Sequence, residues 1–302
     1  MKHNLKITIL LMSMFLITQI IGLYVVSVYV SGTQLPYGME PPQEVKEKPQ
    51  GMQILIAFVL AIALFLLLVK INAETFIRLW FFVVTVIALG LAINAFLSSF
   101  NINYASYLSL LIALPLTYFK VFKRNLAVHN LTELLIYPGI AAVFIPLLDV
   151  LWIIIILLVI SLYDIWAVWH SQFMQKLAHY QINNLKFFTG FFMPYADKKQ
   201  KEKIKMLKQK YTNQKELEKQ FKKAKIKISL AILGGGDIVF PIITAGIFYK
   251  YYSLPAALII TASATIALLY LFIMARKGKF YPAMPFLTIG MYLGMMVSWL
   301  MF

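Results

Sequence analysis

Nine stretches of about twenty apolar residues constrain this chain more than any other feature. A helix needs about 20 residues to cross roughly 30 Å of hydrocarbon, where no water is present to satisfy an open backbone. The stretches lie near 7–30, 51–69, 79–98, 103–119, 130–147, 150–169, 228–249, 254–275 and 284–302. The fifth and sixth come from one apolar run, Leu131 to Trp169, which is too long for a single crossing and is divided by a turn at Pro146 to Asp149. The chain therefore reads as an all-α membrane protein of nine transmembrane helices. Of its 302 residues 61% are hydrophobic and only 13% charged, which excludes an ordinary water-soluble enzyme.

The formal charge of +16 points to a membrane surface and not to nucleic acid, because the basic residues sit in loops between the apolar runs. With the N-terminus in the cytoplasm, 25 of the 28 Lys and Arg fall on the inner side, and only Lys46, Lys48 and Lys250 fall outside. Discounting the long sixth loop, the ratio is still 10 to 3, so the positive-inside rule places the C-terminus outside. The first run is longer than a signal-peptide core and reads as a retained anchor. Ser31 to Gln50, with its Pro and Glu, reads as a flexible outer connector.

Three parts follow: a six-helix part over 1–170, a basic cytoplasmic loop over 171–227, and a three-helix part over 228–302. In the loop, Ile204, Leu207 and Tyr211 share one helical face. It is either a solvated connector or a surface whose lysines meet anionic lipid or a substrate's tail. Cysteine is absent, which removes disulfides, thiolate nucleophiles and Cys-based metal sites.

Acids inside the hydrocarbon cost about 2.5 to 3.5 kcal/mol each on insertion scales and are functional candidates by default. Of the 12 acidic residues, Glu40, Glu44, Glu47, Glu74, Asp197, Glu202, Glu216 and Glu218 fall in loops, and Glu133 and Asp149 near helix ends. Only Asp164 and Asp237 remain well inside spans. Asp164 lies six residues before His170, about 9 Å from the cytoplasmic end, and Asp237 ten residues after Lys227, about 15 Å at most. The sixth and seventh spans are antiparallel, so the two carboxyls can meet at similar depth. Paired carboxyls share a proton, one acting as base and the other as acid. Separately, each could equally hydrogen-bond a neighbouring helix.

Asp237 closes the run Gly234-Gly235-Gly236-Asp237, where three glycines weaken a helix and permit close backbone approach, and Pro241 follows one turn later. Tight helix packing explains glycine in many spans but not an adjacent acid. Tyr281-Pro282-Ala283-Met284-Pro285 opposes regular helix ahead of the last span.

Together these three pieces resemble the presenilin and signal peptide peptidase family of intramembrane aspartyl proteases, in a prokaryotic-type form. The resemblance lies in Tyr163-Asp164, in Gly234 to Asp237 matching Gly-x-Gly-Asp, and in Pro282-Ala283-Met284 at the place of Pro-Ala-Leu, with Met284 where leucine is expected. It covers most of the chain, in order, span assignment and N-in topology. It implies that Asp164 and Asp237 form the catalytic pair, that Gly234, Gly235 and Gly236 loosen the approach, and that Tyr163, Pro282, Ala283 and Met284 shape the site and meet substrate. It also implies hydrolysis of peptide bonds within transmembrane helices or signal-peptide remnants, without metal or cofactor.

Other protease chemistries fit less well. His3, His129, His170 and His179 are the only histidines, none at mid-span, and no His-Glu-x-x-His occurs, which disfavours a zinc or Ser-His enzyme. Prepilin peptidases share Gly-x-Gly-Asp but not the other two pieces. A proton- or cation-coupled transporter is the rival from another class, since acids beside glycine-broken helices also build ion sites. A helix-holding chaperone is a third. Gln19 and Asn94 are expected to make interhelical hydrogen bonds. The expected partners are transmembrane-helix substrates and the bilayer, the cell membrane if the source is prokaryotic. No obligatory subunit is expected, and a homo-oligomer stays open.

Overall fold

A computed structural model of the chain describes residues 5–39, 51–123, 125–170, 188–195, 229–275 and 281–302, with a few single residues between 180 and 207. Nine long helices lie among them: α1 (Leu5–Val30), α2 (Gly51–Lys70), α3 (Glu74–Ser99), α4 (Ala105–Tyr118), α5 (Leu126–Phe144), α6 (Val150–Ile165), α7 (Gly235–Tyr251), α8 (Leu254–Met274) and α9 (Met284–Met301). Five-residue π-helical turns extend α4 to Lys123 and α6 to His170, and a 3₁₀ turn extends α5 to Leu147. Eight of the nine are long and apolar enough to cross a membrane. The exception, α7, has 17 residues, about 25 Å. The division of the fifth and sixth spans falls where the sequence puts it: Asp149 caps α6 by accepting the Trp152 N–H at 2.8 Å.

The seventh expected span, near 228–249, is not helical at its start. Ser229–Gly234 form strand β2, which pairs antiparallel with strand β1, Gly190–Tyr195, from within the 171–227 stretch. The all-α reading holds for the membrane-crossing elements and misses this strand pair. Ser-Leu-Ala-Ile-Leu-Gly is a short apolar run whose periodicity does not separate strand from buried helix, and its partner is more than 30 residues distant. The glycine run therefore marks a junction between strand and helix, and not a loosened turn inside a span. The face of Ile204, Leu207 and Tyr211 lies outside the described residues except for Leu207, as do most of the loop lysines and residues 40–50.

The outer edge of β1 is closed by a side chain. Asn130 of α5 donates to the Phe192 carbonyl and accepts the Phe192 N–H, both at 3.1 Å, as the backbone of a further strand would. Because hydrogen-bonding directions alternate along a strand, Phe191, Met193 and Tyr195 face β2, while Pro194 faces away, where its missing N–H costs no ladder bond. By the same alternation, Leu230 and Ile232 of β2 direct their backbone groups away from β1.

At the centre of the bundle, α1 packs on α5, α7 and α8, with Leu11, Phe15, Leu23 and Val26 buried. Gln19 donates to the Ile238 carbonyl of α7 at 3.0 Å, and Asn94 of α3 donates to the Tyr29 hydroxyl at 3.2 Å, so both make the interhelical bonds expected of them. On α2 only Gly51 and Ile54 are buried.

At the α3–α5 crossing the two backbones approach closely: a Cβ on Gly139 would fall on the Ala88 carbonyl oxygen. Gly139→Ala is therefore expected to force the helices apart and to lower stability by about 1–3 kcal/mol, the usual cost of overpacking. Thermal unfolding in detergent measures it, and an unchanged midpoint would contradict the packing described.

Candidate active site

Asp164 sits in the last turn of α6 and is only 8% exposed. Its Oδ2 accepts the Met284 N–H at 3.0 Å, with the Ala283 N–H beside it. These donors are free for a reason: α9 begins at Met284 with Ala283 as its N-cap, and the first N–H groups of a helix have no partner within it. Pro285 lies in that same turn, where it has no helical bond to lose. The Pro282-Ala283-Met284 segment thus turns the positive end of α9 onto a carboxyl. Ser161 and Thr288 join their hydroxyls at 2.6 Å, and the Tyr292 hydroxyl donates to the Ile154 carbonyl at 2.7 Å, which fixes α9 along α6.

Asp237 is the third residue of α7, and Gly234 is the N-cap, its ψ of 150° continuing the strand. The Asp237 carboxyl reaches back to the Gly234 backbone N–H, the acidic half of a capping box. A Cβ on Gly234 would lie 3.2 Å from Asp237 Oδ2, so glycine leaves that oxygen room. On the other side, a Cβ on Gly235 would lie 2.8 Å from the ring and hydroxyl of Tyr137 on α5. Gly236 borders open space, its nearest neighbour being Phe240 at 4.0 Å.

Each acid therefore rests on a helix N-terminus, and the two are close enough to interact electrostatically. Asp237 lines a cavity of about 90 Å³ together with Ile232, Leu233, Leu268, Tyr281 and Ala283, enough for several waters. Asp164, Asp237, Gly234, Gly235, Gly236, Ala283 and Met284 are gathered at this one end of the bundle, where α6 ends and α7 and α9 begin. Pro282 leads into it. Tyr163 is half-buried with its ring leaning on Trp166, so it borders the site instead of joining the acids.

Sequence reasoning missed a second polar cluster. Lys120, expected in an inner loop, and Glu133, expected near a helix end, are a hydrogen-bonded ion pair with side chains 0% and 2% exposed. His129 lies one turn before Glu133 and bonds the Gly190 carbonyl of β1. The signal was the i, i+4 spacing of His129 and Glu133 on one face, with a lysine just before the connection.

Residues 12–302 match the family model described as "Signal-peptide peptidase, presenilin aspartyl protease". Two solved structures, each of a presenilin family intramembrane aspartate protease, are similar throughout. That in space group C222 has a TM-score of 0.62 at 18% identity, covering 98% of this chain and 99% of that one. That in space group P2 has a TM-score of 0.60 at 19% identity, covering 97% of each chain. At such identities the likeness is one of fold. No curated protein sequence matches the chain.

The three glycines are expected to respond differently to a methyl group. Gly235→Ala drives a carbon into Tyr137 and should cost about 1–3 kcal/mol. Gly236→Ala meets no atom and gains helix propensity, so its stability should hold or rise by up to about 1 kcal/mol. Thermal unfolding of both variants distinguishes them, and an equal loss would contradict the contact with Tyr137.

Proposed function

Since the chain belongs to the signal-peptide peptidase and presenilin aspartyl protease family, we propose that Asp164 and Asp237 are the catalytic pair through which it works. The protein is an integral, multi-pass membrane protein and an intramembrane aspartic endopeptidase. The observation that supports the assignment is that these two acids, each on a helix N-terminus, lie within electrostatic reach of one another, with Asp237 lining a cavity large enough for water.

Two neighbouring carboxyls avoid the cost of a double charge by sharing one proton. The ionised member takes a proton from water as the water oxygen attacks the scissile carbonyl, and the protonated member donates to the carbonyl oxygen. The tetrahedral intermediate collapses when the newly protonated carboxyl passes its proton to the amide nitrogen while the ionised one takes a proton back from a hydroxyl of the intermediate, so that the C–N bond breaks, the carbonyl re-forms and the pair regains its single starting proton. The backbone donors from Met284 and Gly234 orient the carboxyls for both steps, so that little rearrangement is needed during the reaction.

A peptide bond in a helix is shielded and hydrogen-bonded, so a substrate helix must open before it is cut. The Leu230–Ile232 edge of β2 offers the opened backbone replacement bonds, in the manner of strand addition. This edge leads directly into Gly234 and Asp237, so a paired substrate strand passes the carboxyls. Met284 is buried in the wall of the site, where it fills the place of leucine at similar volume.

The substrates in this reading are transmembrane helices of other proteins or signal-peptide remnants. The enzyme acts in the cell membrane with its N-terminus inside and without an obligatory partner subunit. The three-part division at residues 170 and 227 goes with it: the first part brings Asp164, the last brings Asp237 and the Pro282–Met284 segment, and β1 from the loop completes the strand pair. No observation among the described residues favours ion-coupled transport.

The test is the purified protein in liposomes with a fluorescent transmembrane peptide, compared with Asp164→Asn and Asp237→Asn. Each variant is expected to keep the parent's fold and to lose at least about a hundredfold in rate, the lower end of what an acid or base contributes. Cutting by either variant at more than a few per cent of the parent's rate, on the order of that same loss, would refute the pair.

A further inference from the structure

The buried cluster of Lys120, Glu133 and His129 has no part in the chemistry above, yet holding an ion pair away from water is costly enough to call for a role. Its connections lead to the site. Lys120 Nζ bonds Glu133 Oε1 and lies 3.2 Å from His129 Nδ1. An ammonium group only donates, so Nδ1 is the acceptor and the ring proton sits on Nε2. That N–H donates to the Gly190 carbonyl at 2.9 Å. Gly190 opens β1 opposite Gly234, with φ of +132°, a conformation that glycine adopts and other residues rarely do.

The same face of α5 continues to the catalytic junction. Asn130 closes the Phe192 edge, as described above. One turn beyond Glu133, Tyr137 packs on Gly235 and stands edge-on to the Phe191 ring, with centroids 6.4 Å apart. β1 is the one strand beside β2 among the described residues, so whatever fixes β1 also fixes the edge of β2.

We propose that Lys120, Glu133 and His129 are positioning residues: the ion pair sets the His129 tautomer, the His129–Gly190 bond sets the register of β1 on β2, and the register places the Leu230–Ile232 edge relative to Asp237. A slip of one residue would reverse the direction of every backbone and side-chain group in the strand. The consequence for cleavage rests on the proteolytic reading; the register itself does not.

The chain has no cysteine, which permits a direct measurement of register. Pro194 and Leu230 are opposite one another and exposed. They form a pair of the non-hydrogen-bonded kind, about 4.5 Å between Cα atoms, within disulfide reach. In the full-length protein carrying Pro194→Cys and Leu230→Cys, mild oxidation is expected to cross-link the strands. Adding His129→Phe should slow this by about fivefold, the factor that one lost hydrogen bond represents. His129→Gln, whose amide N–H reaches the Nε2 position, should recover the rate. On a reporter transmembrane peptide, His129→Phe should shift the main cut to a neighbouring bond, read by mass spectrometry, while His129→Gln keeps it.

Should His129→Phe fail to fold, Lys120→Met combined with Glu133→Leu removes the pair without stranding a charge and is expected to show the same slowing. Equal cross-linking rates in the parent and in whichever variant folds would overturn the proposal, as would equal slowing by His129→Phe and His129→Gln. Slowed cross-linking in a protein whose parent cuts no peptide would sustain the positioning cluster and defeat the proteolytic reading.

Discussion

A carboxyl group surrounded by hydrocarbon needs polar company, and helix N-termini supply it here without adding further charge. The first N–H groups of a helix have no partner within it, so aiming them at an acid serves both sides. Asp164 receives Met284 at the start of α9, and Asp237 receives Gly234 at the start of α7. Much of the architecture follows from that arrangement. α9 has to begin beside the end of α6, which the hydroxyl pair Ser161 and Thr288 secures. α7 has to begin late and short, with the preceding residues extended as β2.

The strand before α7 then becomes a requirement in its own right. A lone extended segment among helices would leave two rows of backbone groups unsatisfied. One row is met by β1, and the outer row of β1 is met in turn by Asn130 and His129. Among the described residues the remaining row, along Leu230 and Ile232, pairs with no further strand, and it is there that the proposed substrate strand would add. α5 thus serves as the scaffold of the site although it carries neither acid: its face from His129 to Tyr137 touches β1, β2's partner residues and the glycine junction in succession.

The legible part of this fold is the part governed by hydrophobic length. The apolar runs gave helices α1 to α6, α8 and α9 within a few residues, and Asp149 marked the turn before α6. The two acids stood out because so few charges interrupt those runs; Asp164 meets the Ala283–Met284 segment, and Asp237 lies within its electrostatic reach. What the sequence concealed depends on contacts between distant segments. β2 is too short and apolar to be told from helix, and its partner lies across the long loop. Lys120 and Glu133 sit near span ends, where charges are ordinarily solvated, so only the packing of α4 on α5 reveals them as a buried pair. Gly235, read as a flexible element, is instead the close contact with Tyr137, while the Gly236 position is open.

The central claim is that two carboxyls act jointly around one attacking water, and a stable mimic of the tetrahedral intermediate tests it most directly. In such a mimic a secondary alcohol replaces the scissile carbonyl of a transmembrane peptide. Its affinity for the unmodified protein should exceed that of the matching amide by at least about a hundredfold, as transition-state complementarity requires. That advantage should vanish when either aspartate is replaced by asparagine. An alcohol that binds no better than the amide, or that keeps its advantage with one aspartate missing, would contradict the account.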